Sequence, residues 1–169
     1  MPRPNLDRVP QWYHGYINLV EGKDLLPAME SQTISFAKFL KKLPEAKRDY
    51  RYAKGKWTIK EMLQHIIDAE RVFAYRALCF ARKEAHPLPS FDENEYADNS
   101  KAAKRDWNDM VKEWVLARQS NEVMFRSFDK AQLDTTGIAS GKPVYVLAIG
   151  FIMVGHINHH VRILNERYL

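Results

Sequence analysis

Apolar residues recur every three or four positions along four long stretches of the chain, the period of a helix with one buried face. The first stretch predicts a helix from about 24 to 43. Leu26, Met29, Thr33, Phe36, Leu40 and Leu43 form its stripe. Asp24 is placed to cap it, Pro27 falls in the tolerant first turn, and Pro44 ends it. The second, about 58–83, carries the clearest start signal in the chain. Thr58-Ile59-Lys60-Glu61 is a capping box, with Trp57 and Met62 placed as a hydrophobic staple around it. Its apolar face runs through Met62, Leu63, Ile66, Phe73, Ala77 and Phe80 until Pro87 and Pro89. The third stretch predicts a helix over about 101–128, through Ala103, Trp107, Met110, Trp114, Ala117, Asn121 and Phe125. The fourth runs from about 144 to 168.

Between these stretches lie a proline-rich loop at 86–100, centred on Phe91 to Tyr96, and a connection with Thr136, Gly137, Gly141 and Pro143. Residues 1–22 hold three prolines and an aromatic cluster of Trp12, Tyr13 and Tyr16. They read as an irregular extension packed on the helices. The expected fold is all-α, a four-helix bundle with long connections forming one domain over 1–169. The chain's 169 residues and 46% hydrophobic content suffice for a real core.

Charge and cysteine content narrow the possible partners. The net charge of +5 is mild, and the basic residues are scattered rather than gathered into a stripe. This argues against a nucleic-acid surface. The longest apolar run, 144–155, is too short for a bilayer, so no membrane partner is expected. The opening Met1-Pro2-Arg3-Pro4-Asn5 lacks the features of a signal peptide, and the single cysteine, Cys79, allows no internal disulfide. A cytoplasmic protein is the expectation.

The candidate chemistry lies in Gly155-His156-Ile157-Asn158-His159-His160. On a helical wheel His156 and His160 are about 40° apart, on the side of Ile149, Ile152, Met153, Ile163 and Leu164. Such a pair is either a packed core feature or two imidazoles offered to a metal. His159 stands at the edge of that face and reads as a packing or supporting residue. Ile157 occupies the place of a protease glutamate, which disfavours His-Glu-x-x-His chemistry. His65, on the second helix and beside its apolar stripe, is the best-placed third ligand. His14 and His86 lie in irregular segments. Asp68, one turn beyond His65, could support a ligand imidazole or act as a general base. Equally, it could pair with Arg71 at the surface.

These residues resemble the DinB-like (DinB/YfiT) family of metal-binding four-helix proteins. The likeness runs from about Trp12 to Leu169. It is strongest in Lys56-Trp57-Thr58-Ile59-Lys60-Glu61 leading to His65, and in Asp68-Ala69-Glu70-Arg71. It continues through Pro87-Leu88-Pro89-Ser90-Phe91-Asp92 and the closing Gly155-His156 to Tyr168 segment. The resemblance implies a divalent metal held by His65, His156 and His160. Relatives often have an acid directly after the Gly-His, where this chain has Ile157. An open three-histidine site suits hydrolysis or a low-molecular-weight thiol transfer, both implied by the family, with a small-molecule substrate. Imidazole ligands accept several transition metals, of which zinc and nickel head the list. The resemblance also implies a homodimer. The alternative reading is a non-catalytic metal- or ligand-binding bundle serving a stress response.

Overall fold

The computed structural model describes all residues, 1–169. Two 3-10 turns at Leu6–Arg8 and Gln11–Tyr13 lead into a short helix α1, His14–Asn18. The long helices α2, Leu25–Lys42, and α3, Ile59–Ala81, follow. After them come α4, Glu93–Asn99, and α5, Trp107–Arg126. A short helix α6, Lys130–Asp134, precedes strands β1, Thr136–Ala139, and β2, Lys142–Tyr145. Helix α7, Val146–Ile163, runs into a π-helical turn at Leu164–Tyr168.

The four long helices pack as a ring in which α2 touches α5 and α7, and α3 touches the same two. Consecutive long helices are therefore diagonal or joined by long crossings. The core falls into two apolar clusters. Helices α2 and α7 run from the first cluster to the second, and α3 and α5 run the opposite way. Parallel neighbours require long connections, as the loop from α3 to α5 illustrates.

A polar layer separates the two clusters. Within it Glu70 of α3 and Arg118 of α5 form an ion pair of 2.8 Å, at 2% and 0% exposure. Asn121 Nδ2 donates to the other oxygen of Glu70 at 2.7 Å. Gln32 of α2 donates to the Val154 carbonyl and to Asn158 of α7, and Thr33 of α2 donates to Glu122 of α5. These bonds tie all four helices at one level. Their directional geometry sets how far each helix slides along its neighbours, which apolar contacts alone would leave loose.

Several sequence expectations need correction. Asp24 stands at the start of α2 but makes no capping bond, because its carboxylate accepts from the Met1 amino group. The third long helix begins at Trp107, not 101. Lys101 adopts a left-handed φ of 55° that a helix cannot continue, and Asp106 caps the new start by accepting from the Asp109 amide. The loop at 86–100 contains α4, capped by Asp92. The connection before the last helix is a hairpin. Ser140 and Gly141 make its turn at positive φ, and β2 carries the chain through Tyr145, so α7 starts at Val146. The capping box at Thr58 and Glu61 is present as read. The stretch Val146–Tyr168 is long and apolar enough to cross a membrane by composition, but most of its apolar part is buried in the bundle. It is the core helix.

The N-terminal segment reaches the core helix through a glycine. A Cβ placed on Gly155 would lie 2.0 Å from the Tyr16 carbonyl oxygen and 2.4 Å from its carbon, both backbone atoms. No side-chain rotation relieves that contact. Gly155→Ala is therefore expected to lower unfolding stability by about 1–3 kcal/mol in urea titrations, through displacement of α1. Unchanged stability would mean that α1 does not pack on Gly155.

Candidate metal centre

His65 enters the bundle interior from α3, within two turns of the Thr58 capping box that starts the helix. His156 and His160 enter from α7, directly after the glycine that admits Tyr16. All three rings are buried. His65 Nε2 lies 3.0 Å from His156 Nε2, and His160 Nε2 lies 2.9 Å from the same atom. The structure thus brings the three sequence candidates together at one point, through the same ring nitrogen of each.

A neutral imidazole carries one N–H, so hydrogen bonding can satisfy such a trio only in part. If His156 donates, the other two rings present lone pairs towards it. If it accepts, two donors compete for one lone pair. The fit to an ion is better. Two nitrogens sharing an ion at about 2.0–2.1 Å can be no more than about 4.2 Å apart, and both spacings satisfy this. Burial lowers the His65 pKa from 6.5 to about 4, with the charge of His159 as the lesser cause. Burial also holds His156 and His160 well below the usual value, helped by His160 and His65 at His156 and by His65 and His159 at His160. The rings are therefore neutral at pH 7, the form that ligates a metal.

Aromatic neighbours fix the rings. Trp57 lies on His65 with centroids 4.7 Å apart, while Tyr16 and Phe73 present edges to His156 at 5.5 and 5.9 Å. His159 packs against Tyr16 and His160, each at 5.2 Å. One atom stays orphaned. His160 Nδ1 is buried with no partner, so no protein group selects that ring's tautomer. The other two histidines are used elsewhere: His14 Nε2 bonds the Val9 carbonyl, and exposed His86 pairs with Glu84.

Asp68 does not join the centre. Its Oδ1 accepts from Gln64 at 2.9 Å, and Gln64 in turn accepts from Arg105, so the carboxylate belongs to the α3–α5 side. Burial raises its pKa, partly offset by the Gln64 bond. The expected partner Arg71 pairs with Glu113 instead, at 2.7 Å. The general-base role expected for Asp68 thus has no geometric support.

The trio opens into a cleft of about 500 Å³. The N-terminal segment contributes Trp12, Tyr13 and Tyr16, and the loop before α4 contributes Phe91. Glu93 and Arg76 are its charged lining groups, and Ser140 lines it from the hairpin. Arg76 and Glu93 were missed in the sequence. The signal for Arg76 is its spacing from His65, which returns it to nearly the same face of α3.

Residues 29–164 match the sequence profile of the DinB superfamily. Among solved structures, the chain is similar to YfiT from Bacillus subtilis, described as a probable metal-dependent hydrolase with an unusual four-helix bundle topology. The likeness has a TM-score of 0.67 at 14% identity, covering 98% of this chain and 90% of YfiT. At that identity it is a likeness of fold. No curated protein matches the chain significantly.

The lowered histidine pKa values have a definite stability consequence. The unfolded chain takes up protons below about pH 6.5, while folded His65 resists until about 4. Stability of the metal-free protein is therefore present above 6.5 and lost as pH falls towards 4. At about 1.4 kcal/mol per unit, His65 alone accounts for about 2 kcal/mol between pH 7.5 and 5. Urea unfolding at the two pH values should show this loss, and His65→Leu should reduce it by that amount. An equal loss in both proteins would contradict the buried, neutral His65.

Proposed function

Because this chain belongs to the DinB superfamily and directs three neutral imidazoles into an aromatic cleft, we propose that it is a metal-dependent enzyme. Its substrate is a small molecule, and its nucleophile is water or a low-molecular-weight thiol. The carrying observation is the convergence of the His65, His156 and His160 Nε2 atoms at 2.9 and 3.0 Å with no fourth protein ligand beside them. Structural zinc sites are usually closed by four protein ligands, whereas three leave room for substrate. A divalent zinc or nickel held there supplies Lewis acidity, which lowers the pKa of water or thiol towards neutrality.

The chain's own residues do the remaining work. Trp57, Phe73 and Tyr16 pack around the imidazoles, limiting water to the cleft side and holding the rings in one orientation. Glu93 is the carboxylate that lines the cleft, and we assign it the role of accepting a proton from the nucleophile. It is the first residue of α4, in the connection between α3 and α5. Asp68 has no part in this scheme, since its carboxylate is held by Gln64.

Metal content and turnover test the reading together. Wild-type protein loaded with zinc or nickel should retain about one equivalent after gel filtration, and His160→Ala should bind at least roughly tenfold more weakly. Ester-hydrolysis and thiol-conjugation panels should show activity in the loaded wild type that His160→Ala lacks. Glu93→Gln should lower turnover with metal content unchanged. Equal metal retention by wild type and His160→Ala would refute the site, and retention without turnover in either panel would refute the enzyme.

A further inference from the structure

Arg76 lies on the same helix as His65 and on nearly the same face. At about 100° per residue the two differ by roughly 20° around α3, and they are about 16 Å apart along its axis. Ala69 and Phe73 fill the stripe between them, and all four residues line the one cleft. Arg76 is only 3% exposed. Its Nη2 donates to the Pro89 carbonyl at 2.8 Å and to Ser140 Oγ at 3.0 Å, which ties the guanidinium to the α4 loop and to the hairpin. Its Nε and Nη1 have no protein acceptor, yet they are not among the atoms sealed from solvent.

The charge has no counter-ion. No carboxylate comes within 4.0 Å of it, and Glu93, the other charged group of the cleft, is exposed and outside ion-pair distance. The contrast with Arg118 is informative. That guanidinium is buried to the same degree, and the fold supplies it with Glu70 at 2.8 Å. An unpaired buried charge is costly, and a purely structural tie to one carbonyl and one hydroxyl does not require a cation. What distinguishes Arg76 is that it lines the cleft that ends at the histidines and keeps two donors there that no protein group engages.

We propose that Arg76 is the anion-binding residue of this cleft, and that the ligand is a small organic molecule with an oxyanion group and an apolar body. The oxyanion, carboxylate or phosphoryl, accepts from Nε and Nη1 of Arg76. The body lies along Phe73 and the aromatic walls. The far end of the molecule then reaches the three histidines. That last orientation rests on the metal-dependent reading above, while the anion site itself does not require a metal.

The test titrates full-length protein, metal-free and zinc-loaded, with benzoate, phenyl phosphate and neutral benzyl alcohol. Binding is followed by calorimetry and by tryptophan fluorescence, since two of the four tryptophans, Trp12 and Trp57, line the cleft. At least one anion should bind wild type about tenfold or more tightly than benzyl alcohol, with and without zinc. The tighter of the two identifies the oxyanion as carboxylate or phosphoryl. Arg76→Gln should lose that preference. Arg76→Lys, which keeps the charge but not the anchored planar fork, should lose most of it. Benzyl alcohol affinity and circular dichroism should stay unchanged in Arg76→Lys. Should Arg76→Gln fail to fold, the lysine variant and the wild-type preference decide. The proposal is overturned if no anion is preferred by wild type, or if both Arg76 variants keep the preference. Anion binding that appears only with zinc and survives in the Arg76 variants would overturn it and leave the metal reading standing. Arg76-dependent binding in a protein that retains neither zinc nor nickel would uphold the anion site and defeat the metal reading.

Discussion

Three imidazole nitrogens aimed at one another inside a helix bundle are badly served by hydrogen bonding alone. Each neutral ring offers one donor and one acceptor, and here the same nitrogen of all three rings is turned inward. The surrounding fold exists in a form that keeps them so. Apolar contacts within the two clusters do little to fix how far one helix is shifted along the next. That is set by the polar layer, where Glu70 meets Arg118 and Asn121, and where Gln32 and Thr33 reach across from α2. A buried ion pair of this kind is a weak source of net stability but a strong penalty on misalignment, because a shifted helix leaves a charge alone. It therefore serves register. With α3 and α7 held in register, His65 stays opposite His156.

The N-terminal segment completes the site from outside the bundle. Its Tyr16 carbonyl rests where a side chain on Gly155 would be, and that contact brings the Tyr16 ring onto His156 and His159. The glycine before the first histidine is thus a packing requirement that bears on the centre directly. Ile157, in the place where the family resemblance suggests an acid, is buried in the second apolar cluster. Its side chain belongs to the core, so any proton transfer in the cleft falls to other groups.

Much of this was legible in the sequence, and the reasons differ by residue. The long helices declare themselves through 3.6-residue periodicity, and Thr58 with Glu61 marks one start to the residue. Two histidines four apart and one on a facing helix suffice to find the trio. The start of α5 was misplaced because Ala102 and Ala103 continue a helical composition, while the decisive facts are the left-handed Lys101 and the Asp106 cap. The hairpin was missed because its strands are only four residues each, too short for a period to register. Glu70 and Arg118 look like surface charges until the helices are assembled. Arg118 does lie one turn after Trp114 and three residues before Asn121, on the buried stripe, and that position was the available clue. Asp68 is harder to read for the opposite reason: helical spacing places it near His65 but does not say which way its carboxylate turns, and in the fold it accepts from Gln64.

The central claim is that His65, His156 and His160 share one metal ion through their Nε2 atoms. Crystals of the zinc-loaded protein, with diffraction recorded on both sides of the zinc absorption edge, test it most directly. The account predicts a single anomalous peak about 2.0–2.1 Å from all three Nε2 atoms, with the remaining coordination positions facing the cleft. A well-ordered structure with no peak there, or with the metal on other residues while the three rings bond only to one another, would contradict it.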